Sequence, residues 1–391
     1  MLKPDFGWIL FFIFTLVFCL WVEWAVMAIV TIVVGVMTFV PVVRSFFIKK
    51  HSQLGRWGQF IFNWMFVIAV SLTIVVGIKS FFVDVFRLPS NSMEMTIGNG
   101  DIIVINKLIF GPRMKPDDPN KYYRAWGWRP IQRNDLIVFN FPEGDTLLVN
   151  RHTESYYSLK RKYGQFSASD ADQFLGERAF KSVTRRPKYI KRVIALPGDV
   201  FEIKGGMALV NNHAVMAVPT SVRKYTDDTG KGDSILKSLG VSPYNEYLYK
   251  NQRIYEFELS LFGKHEALHN YFSLFQMKRN DPDPNIFPYT FLWNTDFYGP
   301  VMVPKKGMAI EISVDNISLY ARLIDVYEEN DLEVRGQQVL VNGKPVSFYV
   351  CKMNYYWVMG DNQSHSFDSR YWGFLPENHV IGVSPMQIHF N

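Results

Sequence analysis

Two apolar stretches near the N-terminus constrain this chain more than anything that follows: Gly7 to Val43, with Glu23 its only charge, and Phe60 to Phe82, with Lys79 its only charge. Each is long enough to cross the roughly 30 Å hydrocarbon core of a bilayer as a helix. The first would be about 55 Å long as one straight helix. It reads better as a hairpin turning at Trp21-Val-Glu-Trp24, where Trp favours the interface and Glu avoids mid-membrane. The expectation is a membrane anchor over residues 1–85 with two or three transmembrane helices, three if the hairpin forms.

Between the stretches Arg44, Lys49, Lys50 and Arg56 stand without an acidic residue. The positive-inside rule puts this loop, about 44–57, in the cytoplasm. Everything after about Val83 is then extracytoplasmic. The apolar run after Met1–Asp5 is too long for a cleavable leader and reads as an anchor.

Composition averages over two unlike parts, so the 16% aromatic content says little about either. The net charge of +6 suits anionic lipid and equally suits ordinary surface lysines. Two cysteines, Cys19 and Cys351, build no disulfide framework.

Beyond the anchor, short β-branched runs dominate: Asp101–Ile105, Asp135–Phe139, Thr146–Asn150 and Val200–Ile203, each closely bounded by turn residues. The expected fold is a mostly β soluble domain, antiparallel and rich in hairpins. Residues 202–215 and 333–346 share Glu, Gly, Leu, Val, Asn and a final Val at a constant offset of 131, each reading as strand, Gly turn, strand and Asn turn. A weaker echo links Arg129–Phe139 to Val303–Ile312. Either two related β units or convergent hairpin chemistry accounts for them.

Between these units, residues 213–300 turn polar and aromatic and read as an accessory insert, with Ser234–Leu239 and Phe257–Leu268 as short helices. No catalytic constellation is visible there. Asp281-Pro-Asp283 lacks a ligand pattern and reads as a solvated loop rather than a metal site. No cofactor, metal or nucleic acid is expected.

A serine becomes a nucleophile only when a base, His or neutral Lys, removes its proton. Three blocks bear on this: Pro89-Ser-Asn-Ser-Met-Glu-Met-Thr96, Tyr189-Ile-Lys-Arg-Val-Ile-Ala-Leu-Pro-Gly-Asp199, and Gly360-Asp-Asn-Gln-Ser-His-Ser-Phe-Asp-Ser-Arg370. In order and local sequence they resemble the boxes of bacterial type I signal peptidases, a family using a Ser/Lys dyad. The resemblance runs from the end of the second apolar stretch through Arg87–Phe139, Tyr189–Val215 and Val303–Val383.

That resemblance implies Ser92 as nucleophile, Lys191 as base, and Ser90 with the Ser92 N–H as oxyanion hole. Ser366 would hydrogen-bond the amine, with Arg192, Asp361, Asp368 and Arg370 in support. The implied catalytic domain comprises 86–212 and 301–391. It would act at the outer face of the bacterial cytoplasmic membrane, on signal peptides of exported preproteins, cleaving after small-x-small sites. Leu88 and Ile97 are candidates for the shallow apolar pockets.

Acting near neutral pH requires Lys191 to lose roughly three pKa units, about 4 kcal/mol, which burial must supply. Read by itself, Lys191 belongs to a basic surface run from Arg185 to Arg192, and Ser90 and Ser92 to a simple turn. Two departures from the family pattern stand out: Gln363-Ser-His365 replaces Arg-Asp-Asn, and Met95 replaces a common Pro. They leave open a catalytically inactive relative acting as a binding module. A self-cleaving Ser/Lys repressor would need a helix-turn-helix where this chain has its apolar stretches. His365, beside Ser366, offers a Ser-His pairing, but the resemblance assigns the base to Lys191.

Overall fold

The computed structural model describes residues 32, 40–87, 93, 101–149, 156–157, 159, 176–215 and 222–388. Almost all of Gly7–Val43, with its expected hairpin and Cys19, lies outside them, as does the Ser90–Ser92 box. The chain divides into two units, Met1–Phe82 and Val83–Asn391.

In the first unit, the basic segment expected as a loop is a helix, Pro41–Gln53, with Pro in its first turn and Lys50 and His51 in its last. Proline suits that position because its missing N–H would be unpaired anyway. After the break at Leu54–Gly55 a 26-residue helix, Arg56–Phe81, follows. Trp57, Phe60, Met65, Ile68, Val75 and Ile78 are exposed along it. Counted over the described residues, no helix is long and apolar enough to cross a membrane. The side chains at 66, 69, 70 and 72–74 of this helix are outside that count.

The second unit is mostly β. Its main sheet runs, in spatial order, Val83–Arg87, Ile102–Asn106, Val380–Ile388, Leu136–Asn140, Lys188–Ala195, Tyr355–Met359 and Leu375–Pro376, with every neighbour antiparallel. Lys188–Ala195 is an interior strand, bonded on both edges, and residues 190, 191 and 193–195 are buried. Two-residue alternation puts Lys191 on the face of Tyr189 and Val193, which pack with Ile137, Phe139, Phe141 and Trp372. Ile190 turns to the other face, into a cluster with Met93, Ile103, Ile105, Val138 and Ile381.

The related segments form similar meanders. Val200–Lys204, Met207–Val210 and His213–Ala214 pair in sequence, as do Leu332–Arg335, Gln338–Val341 and Lys344–Pro345. Both turn on residues with positive φ, Asn211-Asn212 in one and Asn342-Gly343 in the other. This is the backbone that tight two-residue hairpins require.

The segment expected as an insert carries its own four-stranded sheet, ordered Asn245–Tyr249, Gln252–Glu258, Val222–Asp227 and Phe272–Leu274. Tyr225, Tyr255, Phe257, Phe262, Leu268 and Phe272 form its core. A helix spans Gly232–Leu239. The other expected helix is shorter than its sequence suggested. Phe257 lies within the Gln252–Glu258 strand with its ring fully buried, so the helix is confined to Leu259–Lys264, with a 3-10 turn at Glu266–Asn270.

Candidate active site

Lys191 is 3% exposed on its interior strand and pairs across to Ile137. Burial pushes its amine down to about 8, and Arg370 adds to that while Asp368 and Asp361 oppose it. Desolvation disfavours the ammonium because a strongly hydrated point charge finds no substitute solvent in an apolar wall. The basic run from Arg185 to Arg192 is thus not uniformly surface. The pleat turns Lys191 inward.

Arg192, on the opposite side of the strand, binds Asp361 through two parallel hydrogen bonds, Nε to Oδ1 at 2.7 Å and Nη2 to Oδ2 at 2.6 Å. Its third nitrogen donates to the Asn134 carbonyl. Asp361 lies two residues beyond the Tyr355–Met359 strand that pairs with Lys188–Ala195, so this fork ties the loop of the third block to the strand of the second.

Asp368 and Arg370 make a second, separate pair at 2.9 Å, with both side chains almost fully buried. Asp368 caps the short helix Ser369–Trp372 by accepting the Arg370 N–H, as Asp commonly does at helix starts, and also takes the Gly360 N–H. Burial alone would raise its carboxyl, but Arg370 and Lys191 hold it below the ordinary carboxylate value. Burial works against the Arg370 charge, and Asp368 more than offsets it, so the guanidinium stays firmly protonated. Gly373 ends this helix at φ +86°, where a Cβ would fall 2.7 Å from the Phe287 ring.

Ser366 is 4% exposed. Its Oγ lies beside Asp368 yet makes no well-aligned hydrogen bond among the described residues. The Asp368 carboxylate therefore meets both the Lys191 charge and the Ser366 hydroxyl. Six of the residues singled out in sequence, Lys191, Arg192, Asp361, Ser366, Asp368 and Arg370, stand in this one region. Ser90 and Ser92 lie outside the described residues, as do Leu88, Met95 and Ile97. Met93, next to Ser92, is completely buried in the same cluster as Ile190, next to Lys191.

Sequence reasoning missed the contribution of residues 213–300. Glu256, 1% exposed on the middle of the insert sheet, places Oε2 2.6 Å from His365 Nε2. Tyr244 OH stands 3.4 Å from Asn362 Nδ2, and its ring packs against His365. Nothing local marks Glu256, since its partner is 109 positions away. A cavity of about 60 Å³, sized for a few waters, lies nearby among Arg223, Asp296, Met359, Gln363, Ser364 and Arg370. Asp281 is taken by Tyr249 and Lys250. Among the described residues no group of His, Cys, Asp and Glu could hold a metal ion.

Comparison with known proteins shows the family of this chain. The family model described as signal peptidase, peptidase S26, matches residues 61–279 and 329–388. The signal peptidase I of Buchnera aphidicola subsp. Schizaphis graminum is 22% identical over 313 residues, covering 79% of this chain and 69% of that protein. The Haemophilus influenzae signal peptidase I is 24% identical over 313 residues, 80% of this chain and 64% of its own length. The Pseudomonas aeruginosa signal peptidase I reaches 32% over 202 residues, covering 49% of this chain and 52% of its own. With most of its length matched in order, the chain belongs to the signal peptidase family, peptidase S26, and is a serine endopeptidase.

Proposed function

We propose that this chain is a membrane-anchored peptidase that removes signal peptides from exported preproteins, cutting after small-x-small sites with Ser92 as nucleophile and Lys191 as general base. The observation that carries the reading is the buried Lys191 amine, lowered to about 8, beside the paired charges of Arg192 with Asp361 and of Asp368 with Arg370. An ordinary lysine would hold its proton and leave serine inert.

In the proposed reaction the neutral Lys191 amine takes the proton of Ser92 Oγ as that oxygen attacks the scissile carbonyl. The Ser90 hydroxyl and Ser92 N–H stabilise the oxyanion, worth about 3 kcal/mol per donor. Lys191 then returns the proton to the departing amine, freeing the mature chain. Water, deprotonated by Lys191, hydrolyses the remaining ester to signal-peptide carboxylate and free serine. Ser366 orients the amine, and Arg192, Asp361, Asp368 and Arg370 hold the walls. Burial of Met93 with Ile190 supports a close approach of the two blocks.

The exposed apolar side chains of the Arg56–Phe81 helix support its reading as the last span. With the 44–57 segment cytoplasmic, residues 86–212 and 301–391 form the extracytoplasmic catalytic domain and 213–300 an accessory part. The anchor would hold the site at the outer face of the cytoplasmic membrane, where a cleavage site emerges.

Purified protein in detergent micelles, given a peptide with an Ala-x-Ala site, tests the reading. Wild type should cut after the second Ala, and Ser92→Ala and Lys191→Ala should each abolish cutting. A folded but silent wild type would favour the inactive binding relative that the Gln363-Ser-His365 departure suggests. Residual cutting by Lys191→Ala would require another base.

A further inference from the structure

The turn that presents Ser366 has few described hydrogen bonds of its own. Gln363–His365 is a three-residue 3-10 turn, and its described backbone support is Gln363 N–H to the Asp361 carbonyl and His365 N–H to the Asn362 carbonyl, both at 3.1 Å. The remaining anchors come from elsewhere. Arg370 Nη2 donates to the Gln363 carbonyl at 2.7 Å, which fixes the start of the turn. Its end, the residue before Ser366, is gripped by Glu256.

Glu256 is suited to that grip. Its carboxylate is 2% exposed, and its described partners are His365 at 2.6 Å and the Asn245 side-chain amide at 3.3 Å. A buried carboxylate needs donors, and a short N–H···O contact to imidazole is the stronger of the two here. Glu256 sits on a strand bonded on both edges, and its carbonyl accepts the Tyr244 N–H at 2.7 Å, so the strand also carries the Tyr244 ring that packs on His365. The sheet thus reaches this turn through the Glu256 side chain and the Tyr244 ring.

We propose that Glu256 is a positioning residue of the peptidase: through His365 it fixes the turn that aims the Ser366 hydroxyl at Lys191, so that residues 213–300 complete the active site. The inference rests on the Ser92/Lys191 reading. It also accounts for the His at 365, because that is the residue type that the Glu256 carboxylate engages.

The full chain in detergent, with the Ala-x-Ala peptide, tests it through Glu256→Ala, Glu256→Gln, His365→Ala, the double alanine variant, and Lys191→Ala. Misplacing a reacting group by about 1 Å costs up to about a hundredfold in rate, so Glu256→Ala and His365→Ala should each lower kcat at least about tenfold with KM nearly unchanged. Glu256→Gln, which still offers an acceptor, should recover most of kcat. The double variant should be no slower than either single one. Should Glu256→Ala not fold, His365→Ala decides, since that side chain is 40% exposed. Wild-type kcat in folded His365→Ala, or losses that multiply in the double variant, would overturn the proposal while Lys191→Ala remains dead. Full activity of Lys191→Ala would overturn the dyad reading and this inference together.

Discussion

Arg192 and Asp361 lock the second and third sequence blocks together: the guanidinium meets the carboxylate through two hydrogen bonds of 2.7 and 2.6 Å, with side-chain exposures of 15% and 2%. Lys191 is the next residue along the strand. The fork fixes the strand that carries the proposed base, and Asp361 holds the Lys191 amine somewhat higher than burial alone would leave it.

Breaking this pair from one side strands a buried carboxylate. Arg192→Met should therefore cost about 3 kcal/mol in urea unfolding, whereas Arg192→Met with Asp361→Leu should recover much of it. An equal loss in both variants would mean that the pair's charges contribute nothing and only its packing matters.

Lys191 sets a pH dependence for both rate and stability. In the proposed dyad turnover needs the neutral amine, so kcat/KM should rise through an apparent pKa of about 8, and Lys191→Arg should be inactive because guanidinium does not give up its proton. The folded pKa lies below the unfolded 10.5, so between about 8 and 10.5 the unfolded chain binds more protons and stability rises with pH. Below 8 the whole penalty, about 3 kcal/mol, is present. Lys191→Met should be more stable than wild type by up to that amount at pH 7, and by almost nothing near pH 10.5.

His379 predicts acid sensitivity of another origin. It is 1% exposed, and burial together with Arg186, Arg113 and Arg322 keeps it neutral well below its ordinary range. Arg186 donates to Nε2 at 2.8 Å, so the proton is on Nδ1, facing Asn378 Oδ1. The unfolded state gains a proton below pH 6.5 that the native state refuses, and stability should fall by up to about 1.4 kcal/mol per pH unit between 6.5 and 5. In His379→Gln that slope should flatten.

Glu328, fully buried after the Leu323–Tyr327 π-turn, gathers the hydroxyls of Tyr349 and Tyr355 and the N–H groups of Lys352 and Met353. Replacing it by Ala leaves four donors, three of them on buried residues, facing a void. Glu328→Ala should destabilise by at least about 3 kcal/mol in urea unfolding, with Glu328→Gln intermediate because only one oxygen remains to accept.

Much of this protein is local in its code. The β runs from Ile102 to Ile203, the Asn-Asn and Asn-Gly hairpins, and the three family blocks are legible because pleat alternation, turn backbone and nucleophile chemistry each act over a few neighbouring residues. Lys191 could be named from its block, but whether it is buried could not. In the row from Arg185 to Arg192 only strand pairing on both edges decides which cation enters the core. Phe257 read as helix because the buried core that claims its ring is assembled from residues of five other elements. Glu256 stayed silent for the same reason. Its role is created by a contact across 109 positions, and electrostatic and packing forces act on distance in space, which the chain order does not contain.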